Sequence, residues 1–272
     1  MRGDTAGRAV CLVDAHVHLH RVFDVAAFLE HVTRNFTTAA REVGALHAGV
    51  LLLEETPGEE AFSRIAAIGS AGSRWSVGET REPEAIVVAA PGAAPLIVIA
   101  GRQLVTQEGV EVLALMSAKD FPNGSPLADT LRLVRQDGAI AVLPWGFGKW
   151  TFERGHAVTA VLQSASDVLV GDNAGRWRLL PTPAPFTLAR SRRIPILPGS
   201  DPLPFRGQVN RAGSYGFVVP QPIDLDRPSR DLRAWLRSQR VQPRPFGHLE
   251  SAGAFALNQV RMQWRKRVRS GR

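Results

Sequence analysis

Apolar residues recur along this chain in two rhythms. AVCLVDAHV, HAGVLLLEE, AIAVLPW, DVLVGDN and IPILPGSD are short β-branched runs that read as buried strands. DVAAFLEHVTRNFTTAAREVG, SPLADTLRLVRQDG, ERGHAVTAVLQSAS and DRPSRDLRAWLRSQR carry apolar residues at helical spacing. Gly44 and Gly138 are placed to end two of these helices, and Ser125 or Asp129 to begin one. Thr56 is expected to cap a short helix over TPGEEAFSRIAAIG. From about Trp75 to Leu115 the pattern changes: RWSVGE, EAIVVAA, PLIVIAG and EVLALM are apolar runs broken by Gly and Pro, which predicts a local antiparallel excursion. GSYGFVVP reads as extended, and HLESAGAFALNQVRMQWRKRV as a long amphipathic final helix with a basic end. Such alternation calls for an α/β fold of parallel strands with helices packed outside.

Composition adds bounds. Hydrophobic residues make up 44% of 272, enough to build one substantial core, so a single domain over 1–272 is expected, with 261–272 a basic tail that frays. The lone cysteine, Cys11, excludes an internal disulfide and reads as a core thiol within AVCLV. No run approaches the ~20 apolar residues of a membrane helix, and no apolar stretch of signal-peptide length precedes the first strand, so a cytoplasmic protein without a membrane span is expected. The net charge of +8 gathers in RPSRDLRAWLRSQR and QWRKRVRSGR. That field attracts anions: nucleic acid, a phosphorylated substrate, an acidic partner or an anionic membrane surface. A solvated arginine-rich face accounts for it as simply. Nucleic acid is weakly supported, because the basic tail is not interleaved with aromatics in a stacking pattern.

The strongest chemical signal is Asp14-Ala-His16-Val-His18-Leu-His20. Alternate side chains of a strand share a face, so His16 and His18 project together, and His20 follows if the strand continues. Two imidazoles at a strand end are a ready pair of metal ligands, and Asp14 is a candidate acceptor to fix a histidine tautomer. Three surface histidines on a loop is the plainer reading. Gly199-Ser200-Asp201, after IPIL, offers a carboxylate to close a site opened by the first strand, although Gly-Ser-Asp-Pro is also good turn chemistry. Two later loops mix glycines, aromatics and polar groups. Lys149 and Arg154 in PWGFGKWTFERG, and Asn173 and Arg176 in GDNAGR, are candidates to hold an anionic substrate. Tyr215 reads as structural.

DAHVHLH, then VIAGRQLVTQEGVEVLALM, SPLADTLRLVRQDGAIAVLPW and ILPGSD, in that order over about 10–205, resemble the PHP (polymerase and histidinol phosphatase) family of metal-dependent phosphoesterases. The resemblance implies a distorted (β/α)7 TIM-type barrel, with the antiparallel excursion and the long C-terminal helix added to it. It also implies phosphoester hydrolysis at up to three metal ions. The family's first histidine pair falls on His16 and His18, and its late aspartate on Asp201. Its glutamate falls on Gln103, two of its histidines on Leu143 and Leu203, and its Asp-His pair on Glu54 and Glu55. Asp172 or Asn173 occupies the region of a further ligand. Leucine binds no metal, so the expected site is reduced to one divalent ion, zinc, manganese or iron, held by His16, His18, Asp201 and Gln103 or a water. Glu54, Glu55 and Asp172 are the candidate bases. The leading expectation is a metal-dependent hydrolase of a small phosphorylated or otherwise anionic substrate. The alternative is a catalytically inactive relative that binds an anionic ligand or partner. An amidohydrolase-type barrel is less favoured, because His47, His156 and His248 are poorly placed as further ligands.

Overall fold

The computed structural model describes residues 9–69 and 73–270. β1 (Ala9–Val17), α1 (Val25–Val43) and β2 (Ala45–Leu53) open the chain, and β1 and β2 pair in parallel. α2 (Ala61–Ala66) precedes β3 (Ser76–Glu79), β4 (Ala85–Ala89) and β5 (Leu96–Ile99). Next come β6 (Gly101–Val105), β7 (Glu111–Leu115), α3 (Leu127–Gln136), β8 (Ile140–Pro144), α4 (Phe152–Ser164) and β9 (Val168–Asn173). α5 (Ala184–Ser191), β10 (Ile196–Gly199), β11 (Tyr215–Val219), α6 (Pro228–Ser238), β12 (Pro245–Gly247) and α7 (Ala252–Ser270) complete the chain.

The strands form two mixed sheets, one of seven in the order β12-β11-β1-β2-β5-β4-β3 and one of five in the order β10-β9-β8-β7-β6. The fold is α/β, as the alternation predicts, but the closed (β/α)7 TIM-type barrel implied by the PHP resemblance is not formed. The reason lies in the antiparallel segments. β5 pairs in parallel with β2, and β4 and β3 then extend that sheet outward as an antiparallel ladder. β11 and β12 extend it on the other side of β1, again antiparallel. The excursion is thus wider than the sequence pattern suggests, since β6, β7 and β8 are antiparallel too. The chain passes from one sheet to the other at Ala100 and Gly101. A Cβ on Gly101 would lie 2.5 Å from the Leu53 carbonyl oxygen and 3.0 Å from that of Ala114, so only glycine fits the crossing.

One core joins the sheets, with Val13, Val50 and Ile97 from the first meeting Val112, Val142 and Val170 from the second. The other face of the first sheet is covered by α1, which buries Phe28, Leu29, Val32 and Phe36 against Leu12, Leu51 and Val98. Each such side chain contributes about 1.5–3 kcal/mol through burial. α1 starts on Asp24, whose carboxylate accepts from the Ala27 N–H at 2.8 Å, and it ends at Gly44 as expected. One expected cap is replaced. Thr56 lies outside α2, where its N–H and hydroxyl both donate to Glu59. α3 begins near Ser125 and Asp129 as expected, and Glu108 caps it, its carboxylate accepting from the Leu127 N–H. The basic stretch expected to fray is helical as far as Ser270, and 271–272 lie outside the described residues.

Candidate metal centre

The centre lies where the two sheets meet, at the end of β1. Up to Ala15 the odd residues Cys11 and Val13 face the shared core, and Val10 and Leu12 face α1. A register shift between Asp14 and Val17 reverses this order. Val17 and Leu19 then pack on the α1 side, and His16, His18 and His20 line the pocket. A bulge that re-aims side chains in this way is a common device beside functional sites. It also removes Asp14 from the histidine face. Asp14 instead accepts from the backbone N–H of Ser200 and of Gly213, both at 2.8 Å, and from that of His16 at 3.3 Å. It therefore ties three segments together and fixes no imidazole. Burial pushes its carboxyl up to about 7, against the pull of those amides.

β10 reaches this point against β1. A Cβ on Gly199 would lie 2.5 Å from both Cβ and N of His16, so glycine is required for the approach. The next residues turn inward. The Asp201 N–H donates to the His16 carbonyl at 2.8 Å, and Asp201 holds a left-handed φ of 44°. That conformation is costly for a residue with a Cβ and concentrates at functional sites. Gly-Ser-Asp is thus a turn, and one that aims a carboxylate at the histidines.

Three donor atoms converge there. Nε2 of His16 and Nε2 of His18 are 3.1 Å apart, and Oδ1 of Asp201 is 3.7 and 3.8 Å from them. A point equidistant from atoms so spaced lies about 2.1 Å from each, within the range of ordinary zinc–nitrogen and zinc–oxygen bonds. The group can therefore hold a metal ion. The chemistry agrees with the spacing. Two imidazole nitrogens and a carboxylate oxygen converge on one space, a donor set that suits a cation. Burial, then the neighbouring His16, lowers His18 to about 3 despite Asp201, which keeps its imidazole neutral as a ligand must be. Burial raises Asp201, but His16, His18 and Lys149 outweigh it and hold its carboxyl below the ordinary carboxylate value. The other oxygen, Oδ2, accepts from Nδ2 of Asn173 at 3.1 Å, and that amide also donates to the Trp145 carbonyl at 2.9 Å. Asn173 thereby fixes the carboxylate and leaves Oδ1 for the ion.

His20 is excluded as a ligand by its own bonds. Its Nε2 is 2.8 Å from the Pro202 carbonyl and its Nδ1 2.9 Å from Oε1 of Glu59, so both nitrogens are engaged away from the space between His16, His18 and Asp201. Burial opposes the charge on Glu59, but His20 and Thr56 override it and lower the carboxyl to about 2. Its Oε2 is 4.0 Å from Nδ1 of His18, which has no hydrogen-bond partner. Sequence reasoning missed Glu59, because it lies in the loop after β2 and only its spacing to Thr56 hinted at a local bond.

These groups line a pocket of about 680 Å³, which Gln103, Lys149, Arg154, Asn173 and Leu203 share. Helix α7 lies across it and contributes Asn258, Met262 and Arg265. The remaining candidates are elsewhere. Glu54 is buried with neither carboxylate oxygen bonded, and burial above all raises it well above its ordinary value. Glu55 pairs with Arg102 and accepts from the Phe62 N–H at 2.7 Å. Asp172 takes two bonds from Arg176, at 2.8 and 2.7 Å, and one from the Tyr215 hydroxyl at 3.2 Å. None of Glu54, Glu55, Asp172 or Arg176 lines the pocket. Within it, Lys149 is taken by Glu111 and Arg211 by Glu250, whereas Arg154 and Arg265 bond only main-chain carbonyls among the described residues.

No family model and no curated protein matches this chain. Among solved structures, PsfC from Pseudomonas syringae PB-5123 shares the fold, with a TM-score of 0.56 and 16% identity over 96% of this chain and 99% of that one.

Proposed function

We propose that the protein is a hydrolase of a small anionic substrate that works with one divalent ion held by His16, His18 and Asp201. The convergence of three donor atoms at metal-binding distances supports this reading above all else. The order of the PHP-like motifs supports the reaction class, and the departures at Leu143 and Leu203 support a single ion. The ion would supply Lewis acidity at the pocket floor. Glu59, whose Oε2 is 4.0 Å from Nδ1 of His18, would orient that ligand; held low by His20 and Thr56, its carboxyl is a poor proton acceptor, and Glu54, Glu55 and Asp172 lie off the pocket. Arg154 and Arg265 carry charge that no carboxylate among the described residues neutralises, so the pocket favours a substrate with more than one negative charge. α7 lines one wall of the pocket.

The test is elemental analysis of purified protein grown with zinc and manganese, beside a phosphoester panel. About one equivalent of metal, and turnover that His16→Ala abolishes, is the expected result. Protein that stays metal-free under those conditions would refute the reading. The same panel addresses a second reading that Leu203 on the pocket wall favours, ligand binding without turnover: saturable binding with no hydrolysis of any substrate would establish it.

A further inference from the structure

Helix α7 presents a face that the pocket does not explain. Its inner side, with Asn258, Met262 and Arg265, looks into the pocket. Leu257, Val260 and Trp264 recur at spacings of three and four on the opposite side, where they are 49%, 66% and 70% exposed. A helix covering a pocket normally turns polar residues to solvent. This one has no acidic residue between Ala252 and Ser270, and five cations among its last ten residues: Arg261, Arg265, Lys266, Arg267 and Arg269. Arg261 and Arg267 are exposed on either side of the apolar stripe, and neither makes an ion pair among the described residues. The helix dipole accounts for cations in the last turn, but not for a tryptophan and two aliphatic side chains held in water.

We infer that this outward face of α7 docks the protein on an anionic lipid surface. Apolar side chains flanked by arginines, with a tryptophan among them, match the interface between lipid headgroups and acyl chains. Each basic residue near an anionic leaflet adds to the attraction. A second copy of the chain fits less well. Three partly exposed side chains offer roughly half of the ~800 Å² per partner that a stable interface buries, and basic faces of two copies repel. The inference uses neither the metal nor turnover, so it stands apart from the proposed hydrolase.

The experiment is co-sedimentation of the full chain with sucrose-loaded vesicles, of phosphatidylcholine alone or of an equimolar phosphatidylcholine–phosphatidylglycerol mixture. Binding to the anionic vesicles should exceed binding to the neutral ones by about tenfold or more and weaken as salt is raised. Leu257→Glu with Trp264→Glu, and separately Arg261→Glu with Arg267→Glu, should each reduce it to the neutral level with the circular dichroism of the wild type retained. All of these positions are exposed, so folding should survive. Wild-type protein that ignores anionic vesicles, or charge-reversed variants that bind as well as it does, would overturn the inference. So would a dimer in sedimentation velocity that Trp264→Glu dissociates, because the stripe would then be a self-interface.

Discussion

Asn173 shows how one neutral side chain shapes a charged site. It holds Oδ2 of Asp201 and takes its own orientation from the Trp145 carbonyl. Loss of an outer partner of a metal ligand typically costs 10–100-fold in affinity. Asn173→Ala should therefore weaken metal binding by about that factor, read by competition titration with a chromophoric chelator, while the fold persists. His18 makes a second prediction. Its folded value of about 3 lies below the ordinary 6.5, so between those pH values the unfolded chain binds a proton that the metal-free folded chain refuses. That contribution to stability is present above pH 6.5 and is lost as pH falls toward 3. Asp14 acts oppositely: its carboxyl, raised from 3.8 to about 7, makes stability fall as pH rises through that window. The two overlap in the wild type, so the difference curve isolates His18. In denaturant titrations with chelator, His18→Gln should flatten the acid-side decline, and an unchanged slope would show that His18 titrates normally.

At the scale of elements, the seam between β1 and β10 decides whether the donors meet. Gly199→Ala would drive a methyl group into the backbone of His16. Overpacking of this kind costs about 1–3 kcal/mol, and it should also displace Asp201 two residues on. The expected outcome is lower thermal stability together with at least tenfold weaker metal binding; stability lost with affinity intact would mean the seam does not position Asp201. Much at this scale was legible. The strand over AVCLVDAHV, the helix ending at Gly44 and the antiparallel segments after Trp75 follow from apolar period and turn residues. Caps were less legible, because Glu108 reaches Leu127 from 19 residues away and no local pattern records such a bond. α5 and β12 are short, eight and three residues, and carry little periodicity of their own.

For the whole molecule, the alternation of strands and helices specified an α/β fold but not how the sheets end. Pairing of β4 with β5, or of β11 with β1, is a choice between neighbours distant in sequence, and side-chain period is the same whichever neighbour is taken. The expected barrel failed on that point. The donor set was legible because His16, His18 and Asp201 are chemically distinctive at strand ends. The surroundings were not, since carboxylates look alike in sequence. Glu54 and Asp172 are occupied with burial and with Arg176, whereas Glu59 reaches the pocket from a loop. No helix among the described residues is long and apolar enough to cross a membrane.

The register shift between Asp14 and Val17 works as a phase change in the side-chain alternation of β1. Before it, the side chains that look inward are those of any core strand; after it, the inward series is offset by one and consists of imidazoles. Chemistry and packing are thereby written on one continuous stretch, from β1 into the residues just after it, without competing for the same positions. One residue of slack decides which side of the sheet the histidines see, so the site can be lost through a change of length in β1 that alters no ligand at all.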